Sequence, residues 1–468
     1  MRRQTGLLVG VLLLIAGGAQ AQDQSWREAT IENVGVRPHD AKTAIITFDI
    51  AWKASWRHEA NHDAVWVFFK AKAKDTAQWQ HVRLAADRVL DPMGYGQAEG
   101  DLPATEKREA RRATPLEFIV PRGRDGFTGV FLRQAKYGRR RNIAAHGVTA
   151  VWDLTAAPRT RQPTPDAVEI RAFGVIMVYV PEGPFYLGSG GTEVHGFYMY
   201  TDGGQEFPPY RVTSAGAIPT GRQRGRLWAS NARPFIESDS QPPDGGEIPA
   251  AFPNGYTAFY CMKSEITYRQ YADFLNTLPP EEAEKRFSEQ AGSRSGEAPN
   301  FTYLPENIGK SGPMGFSWSD GAAWAAWAGL RPITELEYEK SMRGPCKPLP
   351  GETGPPYWGV RGSNSWDWYS FHPAWLCERP VTVANAAGRR FRGTHGLGTT
   401  VLPKDWPQDD AVGTGYRAGM GRIQKLRCTR IADRSYTAYA NPERHPKDKW
   451  RGARTAPKAA AERKERVR

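Results

Sequence analysis

Residues 316–344 read FSWSDGAAWAAWAGLRPITELEYEKSMRG, and this stretch decides the fold class. Ser319 opens a helix that carries Trp324 and Trp327, and Gly329 ends it. Arg331-Pro332 then bends the chain. Thr334 followed by Glu337 has the spacing of a capping box, in which each side chain satisfies a backbone N–H at the start of a helix. A second helix therefore begins there, and Gly344 terminates it. Trp318, Trp324, Trp327 and Tyr338 supply a large aromatic area for burial. Glu335, Glu337 and Glu339 have helix-surface spacing, where capping and solvation account for them.

Outward from this pair of helices, the chain from about residue 168 alternates short strands with Gly/Pro-rich loops. Thr267 and Gln270 form another capping box ahead of Tyr271, Phe274, Leu275 and Leu278. Before residue 156 the pattern is strand-like. Ile46, Phe48, Ile50 and Trp52 alternate with Thr47, Asp49 and Ala51, the period of a half-buried strand. Ala64–Lys70 is a continuous apolar run of strand length, and Gly126–Leu132 and Val148–Leu154 read as two more strands. Several short strands without helical periodicity predict a small all-β sandwich. The chain thus reads as α+β: residues 22–155 a β-sandwich-like domain, 156–167 a Pro-rich linker, 168–457 a loop-rich α+β domain, and 458–468 a basic tail. No repeat of solenoid period is present.

Residues 1–21 read as a signal peptide. Arg2 and Arg3 precede an apolar run from Leu7 to Ala16, and Ala19-Gln20-Ala21 is a small-residue cleavage site. The run is about ten residues, short of the ~20 a spanning helix needs. The expectation is an exported, periplasmic or extracellular protein with no transmembrane segment after signal removal. With 468 residues, 40% of them hydrophobic and 16 of them Trp, the chain has material for a sizeable core. Its formal charge of +13 clusters at 107–112, 139–141 and the tail. Such clusters can attract anionic surfaces or glycans, against the favoured reading of a solvated surface and a frayed tail. Export, and the lack of interleaved aromatics, argue against nucleic acid. Cys261, Cys346, Cys377 and Cys428 allow up to two disulfides in an oxidising compartment, and sequence leaves the pairing open.

Three stretches invite a chemical reading. His58-Glu59-Ala60-Asn61-His62 matches H-E-x-x-H, but zinc-protease chemistry needs both His on one helix face. Here the pentad joins two strand-like runs, so a strand connection is expected. Gly188–Gly191 follows a strand with no helix behind it, and reads as a loop. Cys428 lies among Arg422, Lys425, Arg427 and Arg430. Cationic neighbours lower a thiol pKa and favour the nucleophilic thiolate, which makes Cys428 the candidate catalytic residue, against the alternative of a buried or disulfide-bonded thiol.

Four segments, in order, resemble the formylglycine-generating enzyme (sulfatase-modifying factor) family. They are Ile176–Gly188 (IMVYVPEGPFYLG, resembling the family's opening strand pair), Phe259–Asn276 (FYCMKSEITYRQYADFLN), Phe316–Gly344, and Trp450–Ala456 (WRGARTA). The resemblance spans about residues 168–457, with the third segment the most specific. It implies a variant C-type-lectin-like fold. Well-known members oxidise a cysteine in sulfatases to formylglycine with O₂ and a copper ion held by two cysteines; others are iron-dependent, and some are structural components of secretion and gliding machinery. Here Arg417-Ala418-Gly419-Met420 stands in place of the family's R-G-G-S. Counted forward from Arg417, Cys428 takes the second cysteine position and Ile423 replaces the first; counted back from Arg434, the register slips by two. One thiolate does not make the two-coordinate soft site that favours copper(I). The calcium-holding segment is reduced to Trp375-Leu376-Cys377-Glu378, short of the oxygen ligands that ion takes.

Two functions follow as expectations. The first is a non-catalytic or repurposed binding or assembly component with a protein partner. The second is a formylglycine-generating-type oxidoreductase acting on a cysteine of an exported sulfatase-like substrate. It would join Cys428 to a second ligand such as Cys261, Cys346, Cys377 or His395, with copper or calcium the cofactors the family implies. Trp366, Trp368 and Trp375 would serve a third, carbohydrate-binding reading.

Overall fold

The apolar run at Ala64–Lys70 lies inside β3 (Asp63–Ala73), and its lack of alternation has a physical cause. The computed structural model describes residues 27–85, 116–121, 127–156, 164–202, 206–229, 245–287, 294–295, 300–303, 315–352, 356–361, 379–382, 388–417, 430–434, 443–444 and 449–457. Within it, β3 is covered on both faces. Val65, Val67 and Phe69 enter one core with Ile46, Phe48, Ile50 and Trp52. Ala64, Trp66 and Phe68 enter another with Trp318, Trp324 and Trp327. A strand buried on both sides has no polar face to show.

Strands of four residues or more are β1 (Ala29–Pro38), β2 (Thr43–Arg57), β3, β4 (Leu116–Ile119), β5 (Val130–Gln134), β6 (Gly138–Asp153), β7 (Val168–Val180), β8 (Phe259–Met262), β9 (Arg379–Thr382), β10 (Thr414–Arg417) and β11 (Gly452–Thr455). β1, β2 and β6 make a three-stranded antiparallel sheet. The larger sheet runs Arg331–Pro332, β11, β8, β7, β3, β5, β4, with Gln80–His81 beside β3. β3 and β7 pair from Asp63↔Val178 to Ala73↔Val168 without a break. The strands on either side of residues 156–167 therefore share one sheet. The three-stranded sheet packs on it through a common hydrophobic core, and the larger sheet continues into the C-terminal part. Ile176–Gly188 does contain two strands, but they part company: β7 pairs with β3 and β8, whereas Phe185–Leu187 pairs with Tyr210–Val212.

Four α-helices complete the described residues: α1 (Tyr268–Leu275), α2 (Pro280–Arg286), α3 (Trp318–Trp327) and α4 (Glu335–Arg343). Thr267 with Gln270 and Thr334 with Glu337 form the predicted capping boxes. The start of α3 is corrected: Ser317, not Ser319, is its cap, accepting from the Asp320 N–H while Asp320 reaches back to the Ser317 N–H. Gly321 of α3 lies under the Trp450 ring, where a Cβ would come within 2.0 Å. The end of α3 is held from the sheet. Trp66 Nε1 donates to Ala328 O at 2.8 Å, Lys70 Nζ to Trp327 O at 2.9 Å, and Arg454 to Gly329 O. Donors and positive charge at a helix C-terminus satisfy its orphan carbonyls and oppose its dipole. No helix among the described residues is long and apolar enough to cross a membrane. The sheet-dominated mixture of strands and short helices is α+β. Residues 1–21, Trp366, Trp368, Trp375–Glu378, Cys428 and the tail at 458–468 lie outside the described residues.

Candidate functional site

The most specific segment of the sequence places three carboxylates on α4, and the structure overturns the surface reading of them. Every residue of α4 is buried. Glu335 accepts from Arg434 through both oxygens, at 2.7 and 3.1 Å, and from Arg417 at 3.2 Å. Glu339, one turn on, accepts from Arg417 at 2.8 Å, from Arg343 at 3.0 Å and from the Gly188 N–H at 2.8 Å. Glu337 takes the Arg331 fork at 2.6 and 2.8 Å while also closing the capping box. The reason is enclosure: Arg343 Nη1 reaches Tyr186 O, Arg434 Nη1 reaches His195 O, and Arg417 Nη2 reaches Ile431 O, so chain from three other regions surrounds the helix. Gly188 has φ +78, and a Cβ there would lie 1.7 Å from Phe197 O, so only glycine brings this N–H to Glu339. Gly188–Gly191 is a loop, as expected, and its first residue makes this contact.

Buried charges are tolerated when paired and fully hydrogen-bonded. Burial alone would push the Glu339 carboxyl up, but Arg417 and Arg343 outweigh it and hold the group below its ordinary range. Burial works against the Arg417 charge as well, yet Glu339 and Glu335 raise its pKa further. Arg417 also stacks on Tyr338, and Arg434 on Phe197 at 3.8 Å from the ring centre. A carboxylate kept ionised between fixed guanidinium charges is a poor proton carrier near neutral pH. This frame holds chain segments together.

No family model, curated protein or solved structure matches this chain.

The cysteines divide. Cys261 is buried in β8, and burial pushes its thiol up to about 11, which suppresses the thiolate. Cys346 is exposed just beyond α4, and both are free thiols, so the four cysteines do not form two disulfides. Cys428 and Cys377 fall outside the described residues, and so do the positions the resemblance assigns to copper and calcium. His395 accepts the Thr455 N–H at 3.1 Å, which engages one ring nitrogen with β11. Among the described residues, no three His, Cys, Asp or Glu side chains are grouped to hold a metal ion.

The His58–His62 pentad is the turn that joins β2 to β3, closed by His58 N–H to Asn61 O at 2.8 Å beside an isolated Arg57–His62 bridge. His58 is exposed, while His62 is buried, 2.9 Å from the Tyr260 hydroxyl and stacked on Tyr179. Burial, with Arg133 and Arg57 nearby, depresses its pKa to about 2, so it is a neutral core residue. Next to it is a cluster that sequence reasoning missed. Asp63 accepts from Lys263 at 2.9 Å, Ser55 at 2.7 Å and the Trp56 N–H at 3.1 Å. No local pattern marks that pair, because its members come from β3 and from the residue after β8. Arg417 and Arg434 did carry a signal: both anchor the family-like C-terminal register.

Proposed function

We propose that this chain is a divergent member of the sulfatase-modifying factor family, with the family's C-type-lectin-like fold behind a β-sandwich layer. In this reading it is exported and acts as a non-catalytic binding or assembly component for a protein partner. What supports the family assignment is the Phe316–Gly344 segment, whose two capping boxes and aromatic set match the family pattern. One observation carries the scaffold reading: the carboxylates of that best-matched segment are spent on ion pairs in the interior, Glu335 on Arg417 and Arg434, and Glu339 on Arg417 and Arg343. Of the two described cysteines, Cys261 is held as a buried thiol.

The competing reading, an O₂- and metal-dependent oxidase of protein cysteines, rests on Cys428. The test is metal analysis of the purified exported protein, with oxygen uptake and aldehyde formation on a cysteine peptide of sulfatase type, with and without added copper. The expected result is no turnover and no difference between the wild type and Cys428→Ala. Stoichiometric copper or iron with aldehyde product, both lost in Cys428→Ala, would replace the scaffold with the oxidase.

A further inference from the structure

A pocket of about 230 Å³ opens where β1, β7, α1 and α3 meet, and neither α4 nor its ion-pair partners line it. Ile31 and Val34 from β1, Ala172 and Phe173 from β7, and Trp324 and Trp327 from α3 give it apolar and aromatic walls. Phe173 is fixed by Phe68, stacked at 5.3 Å, and by Trp327, edge-on at 5.0 Å. Into this setting α1 brings the carboxylate of Asp273. Among the described residues Asp273 has no hydrogen bond and no ion pair.

The charged groups around it are few. Arg269 lies on its own helix, Glu28 just ahead of β1, and Arg171 on β7; α3 contributes only the two indoles. Arg171 is already engaged, with Glu169 at 3.1 Å and the Trp79 ring at 4.6 Å. Arg269 stands 4.0 Å from Glu28, which accepts from the Thr267 hydroxyl. Desolvation, with Glu28 adding repulsion, pushes the Asp273 carboxyl up to about 6. Asp273 is half-buried, so among the described residues solvent alone pairs its carboxylate beside these aromatic walls, and a bound cation would complete that pairing. Hard metal ions take six or more oxygens, which these walls do not offer. An organic cation fits both the charge and the ring faces.

We propose that this pocket binds a small organic ammonium ion, its N–H groups on Asp273 and its apolar body against Ile31, Val34 and Phe173. The volume lies below the ~300–1,000 Å³ of drug-sized sites, so the ligand is a short-chain or single-ring amine. The site makes no use of Cys428 or α4, and its failure would leave the scaffold reading intact.

The test is calorimetric titration of the whole protein with phenethylammonium and with its neutral counterpart 2-phenylethanol, read in parallel by tryptophan fluorescence. Saturable binding of the amine, with the alcohol at least about tenfold weaker, is expected. Asp273→Asn should weaken the amine to the level of the alcohol. Affinity should fall from pH 7 to pH 5 as Asp273 takes up a proton, and at pH 5.5 binding should release that proton. Because Asp273 has no hydrogen bond or ion pair among the described residues for Asn to lose, Asp273→Asn should melt no lower than wild type at pH 7, so a lost signal there is not an unfolding artefact. Equal binding of amine and alcohol to the wild type, or amine binding unchanged in Asp273→Asn, would overturn the proposal.

Discussion

His62 shows how far position outweighs residue type. In the sequence it closes an H-E-x-x-H pattern; in the fold it is a neutral ring wedged between Tyr260 and Tyr179. Its folded pKa of about 2 lies far below the ordinary histidine value of 6.5. Below pH 6.5 the unfolded chain binds a proton that the folded chain refuses, so stability falls as pH drops through that window, by ~1.4 kcal/mol per unit. Gln at this position can still pair with the Tyr260 hydroxyl but does not titrate. We expect His62→Gln to lose ~2 kcal/mol less than wild type between pH 7 and pH 5 in urea unfolding, the 1.5 units below 6.5 setting that figure. Parallel pH curves for the two proteins would show that the folded state does accommodate the imidazolium.

At the scale of elements, α4 depends on charge that comes from elsewhere. Glu335→Gln leaves Arg417 and Arg434 in a dry interior with weakened compensation, and breaking such a pair costs ~3–5 kcal/mol. The half-exposed Glu169, which pairs with Lys72 and Arg171, serves as the comparison. Its change to Gln should cost less than ~1 kcal/mol. Chemical denaturation of the two variants ranks them directly, and similar midpoints would mean that α4 relaxes to admit water. The contrast also explains which features are legible in the sequence. Capping boxes at Thr267 and Thr334 involve neighbours three residues apart, so local spacing reveals them. The continuous apolar run of β3 reads as a strand for the same reason. The burial of Glu335 is not legible, because its partners Arg417 and Arg434 lie 82 and 99 residues away. Asp273 escapes notice likewise: on α1 it is an ordinary polar position, and β1, β7 and α3, distant in the sequence, make it a pocket wall.

At the scale of the whole molecule, the strands before residue 156 cannot be detached from the rest of the chain. β7 would lose β3 along eleven paired residues and present a long unpaired edge. α3 would lose the Trp66 and Lys70 donors that close its C-terminus. Lys263, 1% exposed, would lose Asp63, its only ion-pair partner among the described residues. Trp358 O would lose the Asn61 side chain at 2.8 Å. Each loss alone is survivable; together they remove one face of the main sheet and leave buried polar groups unpaired. A chain beginning at residue 164 should therefore show no cooperative thermal transition and no near-ultraviolet circular dichroism of ordered tryptophan. Residues 22–163 supplied as a separate chain in the same cell should restore both, the two fragments melting together at one temperature. A sharp, independent transition for 164–457 alone would mean that the C-terminal part carries its own closed core and that the shared sheet is a docking of two domains. Joint melting would make the β-layer part of the folding unit, so that a partner bound there would act on the same cooperative structure that contains α4.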